Sequence, residues 1–168
     1  IMETMRGCPF DCTFCAWGDD WLRRSNKFSL ERIQAELDYI AKRIKHSNYL
    51  YLGDSNFGML RRDADIASII SRNSKKTGYP RNFYTSWAKN ASKRVIDIAA
   101  TLGDLVPSVT VSYQSMDSAT LANVKRKNIS IDQFDEVSVA VRESGVETHC
   151  DLILGMPGET HESYLNGL

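Results

Sequence analysis

Three of the four cysteines lie close together near the start of the chain, with the spacing Cys8-x-x-x-Cys12-x-x-Cys15. Cysteine thiolates hold four-iron clusters, normally four to a cluster, so three neighbouring thiolates could bind one face and leave one iron open. A structural zinc site would more naturally use two separated C-x-x-C pairs or a mixture of cysteine and histidine. A thioredoxin-like dithiol would need only Cys12 and Cys15. The spacing therefore favours an iron–sulfur site with one open metal position.

The fourth cysteine, Cys150, lies far from the other three in an apolar context. This context predicts a packed core cysteine rather than a fourth metal ligand. No apolar run approaches the roughly 20 residues of a membrane span, and no signal peptide is visible at the N-terminus. We therefore expect a cytoplasmic protein, in which thiols stay reduced and clustered cysteines indicate metal binding or catalysis.

The composition can supply the core of one domain, since 42% of the 168 residues are hydrophobic. Basic and acidic residues balance, with 21 Lys and Arg against 21 Asp and Glu. No overall field attracts nucleic acid or an anionic membrane, so the charge indicates neither partner. The chain opens inside an apolar segment and stops where a helix is expected to begin. We expect a core domain over residues 1–168 that has been shortened at both ends.

Short segments rich in β-branched and aromatic residues alternate with longer amphipathic segments. The predicted strands, each bounded by Gly, Pro, Asn or Asp, are residues 2–6, 49–54, 82–87, 108–113 and 147–154. Five helices are predicted between them. The first is capped by Ser29, the second covers about 64–76 and ends before the break at Gly78-Tyr79-Pro80, and the third is stopped by Gly103. A short helix follows Asp117, and the last is opened by a capping box at Ser130 and Gln133 and closed by Gly145.

Five strand–helix units predict an α/β fold with a parallel sheet and right-handed crossovers. A closed eight-fold barrel typically needs about 250 residues, so five units make an open or partial barrel. In such folds the chemistry lies on loops at the C-terminal ends of the strands, and the cysteine loop directly follows the first predicted strand.

The cysteine spacing, with aromatic Phe14 just before Cys15, resembles the signature of radical S-adenosylmethionine (SAM) enzymes. The resemblance covers nearly the whole chain and implies a partial (β/α)6-type TIM-like barrel, of which five units are present. It also implies that Cys8, Cys12 and Cys15 bind a 4Fe–4S cluster whose unique iron chelates SAM. One electron from the cluster then cleaves SAM to a 5′-deoxyadenosyl radical, which abstracts hydrogen from a substrate.

The same resemblance implies SAM contacts at two further positions. Phe14 is expected beside the adenine. Asp54 follows the second strand, where the family often has Gly-Gly-Glu contacting the methionine ammonium. Its carboxylate is one methylene shorter than the family's glutamate, and the alternative is an aspartate that caps the loop.

The segment "VSYQSMD" resembles the family's ribose-binding segment, with Ser112 and Gln114 on one strand face. Ser115 is a weaker candidate that could instead cap the next helix. Arg126 stands where relatives often bind the SAM carboxylate, although a solvated charge beside Lys125 and Lys127 is the alternative. Ile153, in the imperfect adenine-packing segment "LILGMPGET", is the remaining candidate.

The segments "GDSNFGM", "QSMD" and "LGMPGET" look like those of radical SAM proteins that also use a cobalamin-binding domain. The chain lacks the D-x-H-x-x-G pattern of a cobalamin lower ligand, so any cobalamin would be bound by a domain outside this chain. A flavodoxin- or ferredoxin-like reductant is the expected partner, and the substrate is unknown. Trp17 and Trp87 could wall a substrate cavity or simply pack. The alternative functions are a non-catalytic iron–sulfur or zinc-stabilised partner-binding module and a degenerate radical SAM fold.

Overall fold

A computed structural model describes residues 1–89, 93–130, 135, 139–140, 143 and 146–168. The strands are β1 (Met5–Arg6), β2 (Asn26–Lys27), β3 (Tyr49–Phe57), β4 (Asn82–Trp87), β5 (Ser108–Thr110) and β6 (Glu147–His149). The α-helices are α1 (Leu30–Arg43), α2 (Asp63–Thr77), α3 (Lys93–Leu102), α4 (Ser118–Asn123) and α5 (His161–Leu165). The helix predicted between Ser130 and Gly145 falls for the most part on residues outside the described ranges.

The strands of the described residues pair in three two-stranded units. β3 and β4 run parallel with Tyr49 opposite Asn82, and β5 and β6 run parallel with Ser108 opposite Glu147. β1 pairs antiparallel with β2 and reaches β3 through a single parallel bridge at Met2. These pairings form no closed barrel in the described part of the chain. The parallel pairs place the carboxyl ends of their strands at the same edge.

The helices begin and end at residues whose chemistry satisfies free backbone groups. The Ser29 side chain accepts a hydrogen bond from the Arg32 N–H at 3.2 Å and caps α1. Ile33 and Leu37, one turn apart, are the buried residues of this helix. Gly78 ends α2 in the left-handed conformation with φ +77°, which glycine adopts without steric cost. Both helices thus follow the signals read from the sequence.

The hydrophobic core lies between β3, β4 and the helices α1, α2 and α3. Phe57, Phe83 and Trp87 form an aromatic cluster, with ring centroids 5.6 to 6.3 Å apart. On β3, Leu50 and Leu52 belong to this core, whereas the alternate residue Tyr51 is partly exposed. This alternation is typical of a sheet with helices on one face only. The opposite face of the sheet remains open for polar and aromatic side chains.

Several element boundaries differ from the sequence-based predictions. β3 extends to Phe57 rather than ending at 54, and the antiparallel strand β2 was not predicted. β5 ends at Thr110 rather than 113, and β6 ends at His149, with one further parallel bridge between Gln114 and Leu152. Gln114 has φ +70°, which no extended strand accommodates. This turn explains why the ladder is reduced to an isolated bridge there.

The prediction that Cys150 packs in the core is wrong. Its side chain is exposed, one residue past the end of β6. Within the described residues β6 pairs with β5 alone and therefore lies at the edge of a sheet. An apolar local sequence did not reveal that edge position.

None of the helices in the described ranges combines the length and apolar composition needed to cross a bilayer.

Candidate functional site

The described residues enclose a cavity of about 430 Å³ at the carboxyl ends of the strands. Its walls come from the loop after β1, from β3 and β4, from β5 and from the segment after β6. The three cysteines and three further predicted site residues line it; these are Cys8, Cys12, Cys15, Phe14, Ser112 and Gln114. Arg126 also lines it, as do Trp17 and Trp87, the tryptophans predicted to wall a cavity. Residues up to 143 positions apart along the sequence thus face one space, from Cys8 to Asp151.

Backbone conformation and backbone hydrogen bonds hold the cysteine loop in place. Gly7 has φ +108°, and a Cβ there would overlap the backbone carbonyl oxygen of Arg24, so this position requires glycine. The Cys8 N–H donates to the Leu22 carbonyl at 2.9 Å, and the Cys15 N–H donates to the Cys12 carbonyl at 3.1 Å. The fold therefore presents the three thiols from a fixed loop.

The thiols face the cavity from separate points. Cys8 and Cys12 are buried and Cys15 is half-buried, and all three are free of disulfides. Within the described ranges no three His, Cys, Asp or Glu side chains lie close enough to hold one metal ion. In a four-iron cluster each thiolate binds a different iron, so its ligands stand further apart than those of a single ion. The donor set of three thiols around one cavity fits such a cluster.

Two residues that the sequence did not single out contact the cysteine sulfurs. The Asn56 amide Nδ2 donates to Cys8 Sγ at 3.2 Å, and Lys89 Nζ lies 3.9 Å from Cys12 Sγ. The Lys89 ammonium also lies 3.6 Å above the ring of Phe10. Burial lowers the pKa of Lys89, and the nearby Cys12 thiol opposes this change. Because Lys89 follows the end of β4 by two residues, the rule that chemistry lies at strand ends could have indicated it.

Arg126 is a buried cation at the cavity wall. Only 8% of its surface is exposed, whereas its neighbours Lys125 and Lys127 are exposed. Its Nε donates to Asn128 Oδ1 at 2.8 Å, and its Nη2 donates to the Ser112 carbonyl oxygen. Both acceptors are neutral, so in the described part of the chain its charge is not paired with a carboxylate through these bonds. The alternative of a solvated surface charge does not hold for Arg126.

Ser112 and Gln114 lie side by side with the segment that follows β6. The Ser112 hydroxyl donates to Asp151 Oδ2 at 3.4 Å, and both side chains line the cavity. The Gln114 N–H donates to the Asp151 carbonyl at 2.8 Å, and the Ile153 N–H donates to the Gln114 carbonyl at 2.8 Å. Gln114 adopts the left-handed conformation, which is uncommon for a residue with a side chain and marks functional sites more often than chance. Asp151 brings to the cavity a carboxylate to which the sequence-based predictions gave no role.

Asp54 is placed away from the cavity wall. Only 3% of it is exposed, and its carboxylate accepts hydrogen bonds from the Thr4 and Met5 N–H groups at 2.7 and 3.2 Å and from the Thr4 hydroxyl. Burial raises the pKa of Asp54, although the bonds from Thr4 and Met5 oppose this rise. Its carboxylate ties β3 to the strand that precedes the cysteine loop.

The remaining candidates have distinct surroundings. Phe14 lines the cavity with 37% of its surface exposed, whereas Ile153 is half-buried beside Gln114 and is not part of the lining. The Ser115 hydroxyl donates to Glu159 Oε1 at 3.1 Å and accepts from the Asp117 N–H at 3.2 Å. Ser115 is therefore not the cap of α4, which is Asp117; its hydroxyl joins the segment before α4 to Glu159.

The comparisons with known proteins agree with this geometry. The Radical SAM superfamily model matches residues 2–166. Over 170 residues the chain is 36% identical to the cobalamin-dependent radical SAM methyltransferase TokK of Streptomyces tokunonensis, which covers 100% of this chain and 25% of TokK. It is 34% identical over 170 residues to 2-(S-pantetheinyl)-carbapenam-3-carboxylate methyltransferase of Streptantibioticus cattleyicolor, covering 100% of this chain and 25% of that enzyme.

A solved structure also shares the fold. The radical S-adenosylmethionine methyltransferase TsrM of Kitasatospora setae, solved with cobalamin and a 4Fe–4S cluster bound, superimposes with a TM-score of 0.78 at 19% identity. The match covers 96% of this chain and 32% of that chain. The chain belongs to the radical SAM superfamily, and its fold is the TIM-barrel-like fold of that family. It spans about a quarter of the length of the two curated relatives.

Proposed function

We propose that this chain is the cluster- and SAM-binding core of a cobalamin-dependent radical SAM methyltransferase. The observation that carries the proposal is one cavity lined by Cys8, Cys12 and Cys15 together with the buried cation Arg126. Thiolates supply cluster ligands, and a buried guanidinium that donates to the neutral acceptors Asn128 and Ser112 favours a carboxylate ligand. The similarity to TokK, a methyltransferase by name, supports the methyl-transfer part of the proposal.

The proposed architecture is five strand–helix units of a partial (β/α)6 barrel, forming a core domain over residues 1–168. The parallel pairs β3–β4 and β5–β6, with helices following β3 and β4, support this arrangement. The open inner face of the sheet, which carries Tyr51, would face the barrel interior.

Each candidate residue has a role within this proposal. Cys8, Cys12 and Cys15 would hold a 4Fe–4S cluster, and the bound cluster and SAM would supply reductive SAM cleavage and hydrogen abstraction. Arg126 would bind the SAM carboxylate through a charge-assisted hydrogen bond, held in place by Asn128. Phe14 would cover the adenine and exclude water.

The ribose is assigned to the segments that directly follow β5 and β6. Ser112 and Gln114 present a hydroxyl and an amide to the cavity, and both groups can donate and accept hydrogen bonds. Ile153, whose backbone is bonded to Gln114, is proposed as an adenine neighbour. Asp54 is proposed to serve the SAM site through the position of the cysteine loop, since its carboxylate bonds to Thr4 and Met5.

Cobalamin, in this proposal, is bound by a segment outside this chain. The electron would come from a flavodoxin- or ferredoxin-like protein in the cytoplasm, and the substrate would enter the cavity beside Trp17 and Trp87. The two tryptophans offer apolar surface for this substrate.

Electron paramagnetic resonance on the anaerobically reconstituted, dithionite-reduced chain tests the proposal. A 4Fe–4S signal that changes when SAM is added is the expected result. A cluster signal that ignores SAM would indicate a degenerate site, and a chain that binds zinc but no cluster would indicate a non-catalytic module. Either of these two results overturns the proposal.

A further inference from the structure

We infer that Asn56 and Lys89 raise the reduction potential of the iron–sulfur site by acting on the sulfurs of two different cysteine ligands. The inference rests on the proposed function, since it requires a cluster on Cys8 and Cys12. It adds two positioning residues to which the sequence-based predictions gave no role.

The amide of Asn56 is oriented by its surroundings. Asn56 is buried, with 5% of its surface exposed, and its Oδ1 accepts from the Lys89 backbone N–H at 3.5 Å. A backbone N–H can only donate, so the amide oxygen must face Lys89 and the NH₂ group must face Cys8 Sγ at 3.2 Å. The same NH₂ group lies 3.4 Å from the Ser55 hydroxyl. The donor to the sulfur is therefore set by the hydrogen-bond network around it.

Lys89 brings a positive charge to the second sulfur. Its Nζ lies 3.9 Å from Cys12 Sγ and 3.6 Å above the Phe10 ring, which holds the ammonium on the cavity side of the loop. The ammonium is partly withdrawn from water, so its attraction to a negative sulfur is weakly screened. Because the Lys89 backbone also donates to Asn56, the two contacts belong to one connected unit.

Reduction adds one negative charge to a cluster that its thiolates already make negative. Hydrogen bonds to the sulfurs and positive charge nearby stabilise the reduced form more than the oxidised form. Both contacts therefore shift the potential in the same direction. Their function would be to let an electron donor of limited reducing power reduce the cluster.

The test is a redox titration of the reconstituted cluster followed by electron paramagnetic resonance. Asn56→Leu removes the sulfur donor without adding charge, and Lys89→Met removes the ammonium while keeping the chain length. For each variant we expect the ratio of reduced to oxidised cluster at a fixed potential to fall about tenfold, which equals about 59 mV for one electron. Asn82→Leu is the matched control, since Asn82 begins β4 five residues before Trp87, about 16 Å from that end.

The midpoint potential of each variant tests the role of the residue that it replaces. A midpoint potential equal to that of the wild type in Asn56→Leu or Lys89→Met overturns the role of that residue, and a shift of equal size in Asn82→Leu overturns both. If Asn56→Leu assembles no cluster, Asn56→Ser replaces it; its shorter hydroxyl donor is expected to give a smaller shift than removal of the lysine charge. A wild-type chain without a SAM-responsive cluster signal contradicts the proposed function itself. If the wild-type cluster signal responds to SAM but both variants keep the wild-type midpoint potential, only the inference about Asn56 and Lys89 is contradicted.

Discussion

Arg126 Nε donates to Asn128 Oδ1 at 2.8 Å, and the Asn128 amide in turn donates to the Tyr113 carbonyl at 2.7 Å. The guanidinium is thereby tied to the segment after β5, which also carries Ser112 and Gln114. These two hydrogen bonds explain how the Arg126 side chain, which comes from the segment after α4, reaches the cavity with a fixed orientation.

Arg126→Met is expected to weaken SAM binding by about tenfold to a hundredfold, because a hydrogen bond to a charged group contributes about 1.5–3 kcal/mol. Asn128→Ala should weaken binding in the same direction by a smaller factor, since it frees the guanidinium without removing it. Equilibrium dialysis with SAM and the reconstituted chain measures both effects. Lys125→Met, at an exposed neighbouring cation, is the control and should bind SAM like the wild type. Unchanged affinity in Arg126→Met would exclude the assigned carboxylate contact.

Cys12→Ala should abolish cluster assembly while leaving most of the fold intact. The loop is held by backbone bonds such as that from Cys8 to Leu22, and the core lies apart from it between the sheet and the helices. Iron content per chain should therefore fall to background while the far-ultraviolet circular dichroism stays close to that of the wild type. Cys150→Ala, at the exposed cysteine, should retain the iron. A loss of helical signal in Cys12→Ala comparable to full unfolding would contradict the independence of loop and core.

The stability contributed by Asp54 should depend on pH. Burial raises the pKa of this carboxyl in the folded chain, so its contribution to stability is greatest below the ordinary carboxyl pKa of about 4 and falls as pH rises through the raised value. Asp54→Asn removes this titration. The free energy of unfolding of the variant, minus that of the wild type, should therefore increase from about pH 4 to neutrality.

Urea unfolding of the cluster-free chain, followed by circular dichroism across this pH range, measures the difference. Asp65→Asn removes an exposed carboxyl on α2 and controls for the loss of one charge. A difference for Asp54→Asn that stays constant or shrinks as pH rises would show that the hydrogen bonds from Thr4 and Met5 outweigh the burial of the charge.

Substitutions of Gln114 should affect the stability of the fold and the binding of SAM in different ways. A non-glycine residue in the left-handed conformation costs about 1–2 kcal/mol, which glycine avoids. The free energy of unfolding of Gln114→Gly should therefore be at least as large as that of Gln114→Ala. Both variants should lose SAM affinity to a similar extent. Urea unfolding and SAM dialysis of the pair provide the two measurements. Normal SAM affinity in both variants would remove the amide from the ribose site.

Local signals predicted the elements that carry the site. The Ser29 cap, the glycine ends of α2 and α3, and the strand at 82–87 all depend on residues close in sequence, and each is present in the structure. The extents of β5 and β6 were overestimated, since β5 ends at Thr110 and β6 ends at His149, with one further bridge between Gln114 and Leu152. The apolar alternation Val111, Ser112, Tyr113 continues past the end of β5, so the local pattern does not mark where the pairing stops.

The sequence by itself determined the cysteine set and the family, because three thiols at a fixed spacing beside Phe14 constitute a pattern contained in eight residues. Only the tertiary structure decided which polar residues surround those thiols. It buries Arg126, places Asp54 away from the cavity and brings Asn56 and Lys89 to the cysteine sulfurs. The hydrogen bonds of these four residues join segments 14 to 77 residues apart. Such contacts depend on how parallel strands align at one edge, and that alignment is a property of the packed sheet rather than of any local stretch of chain.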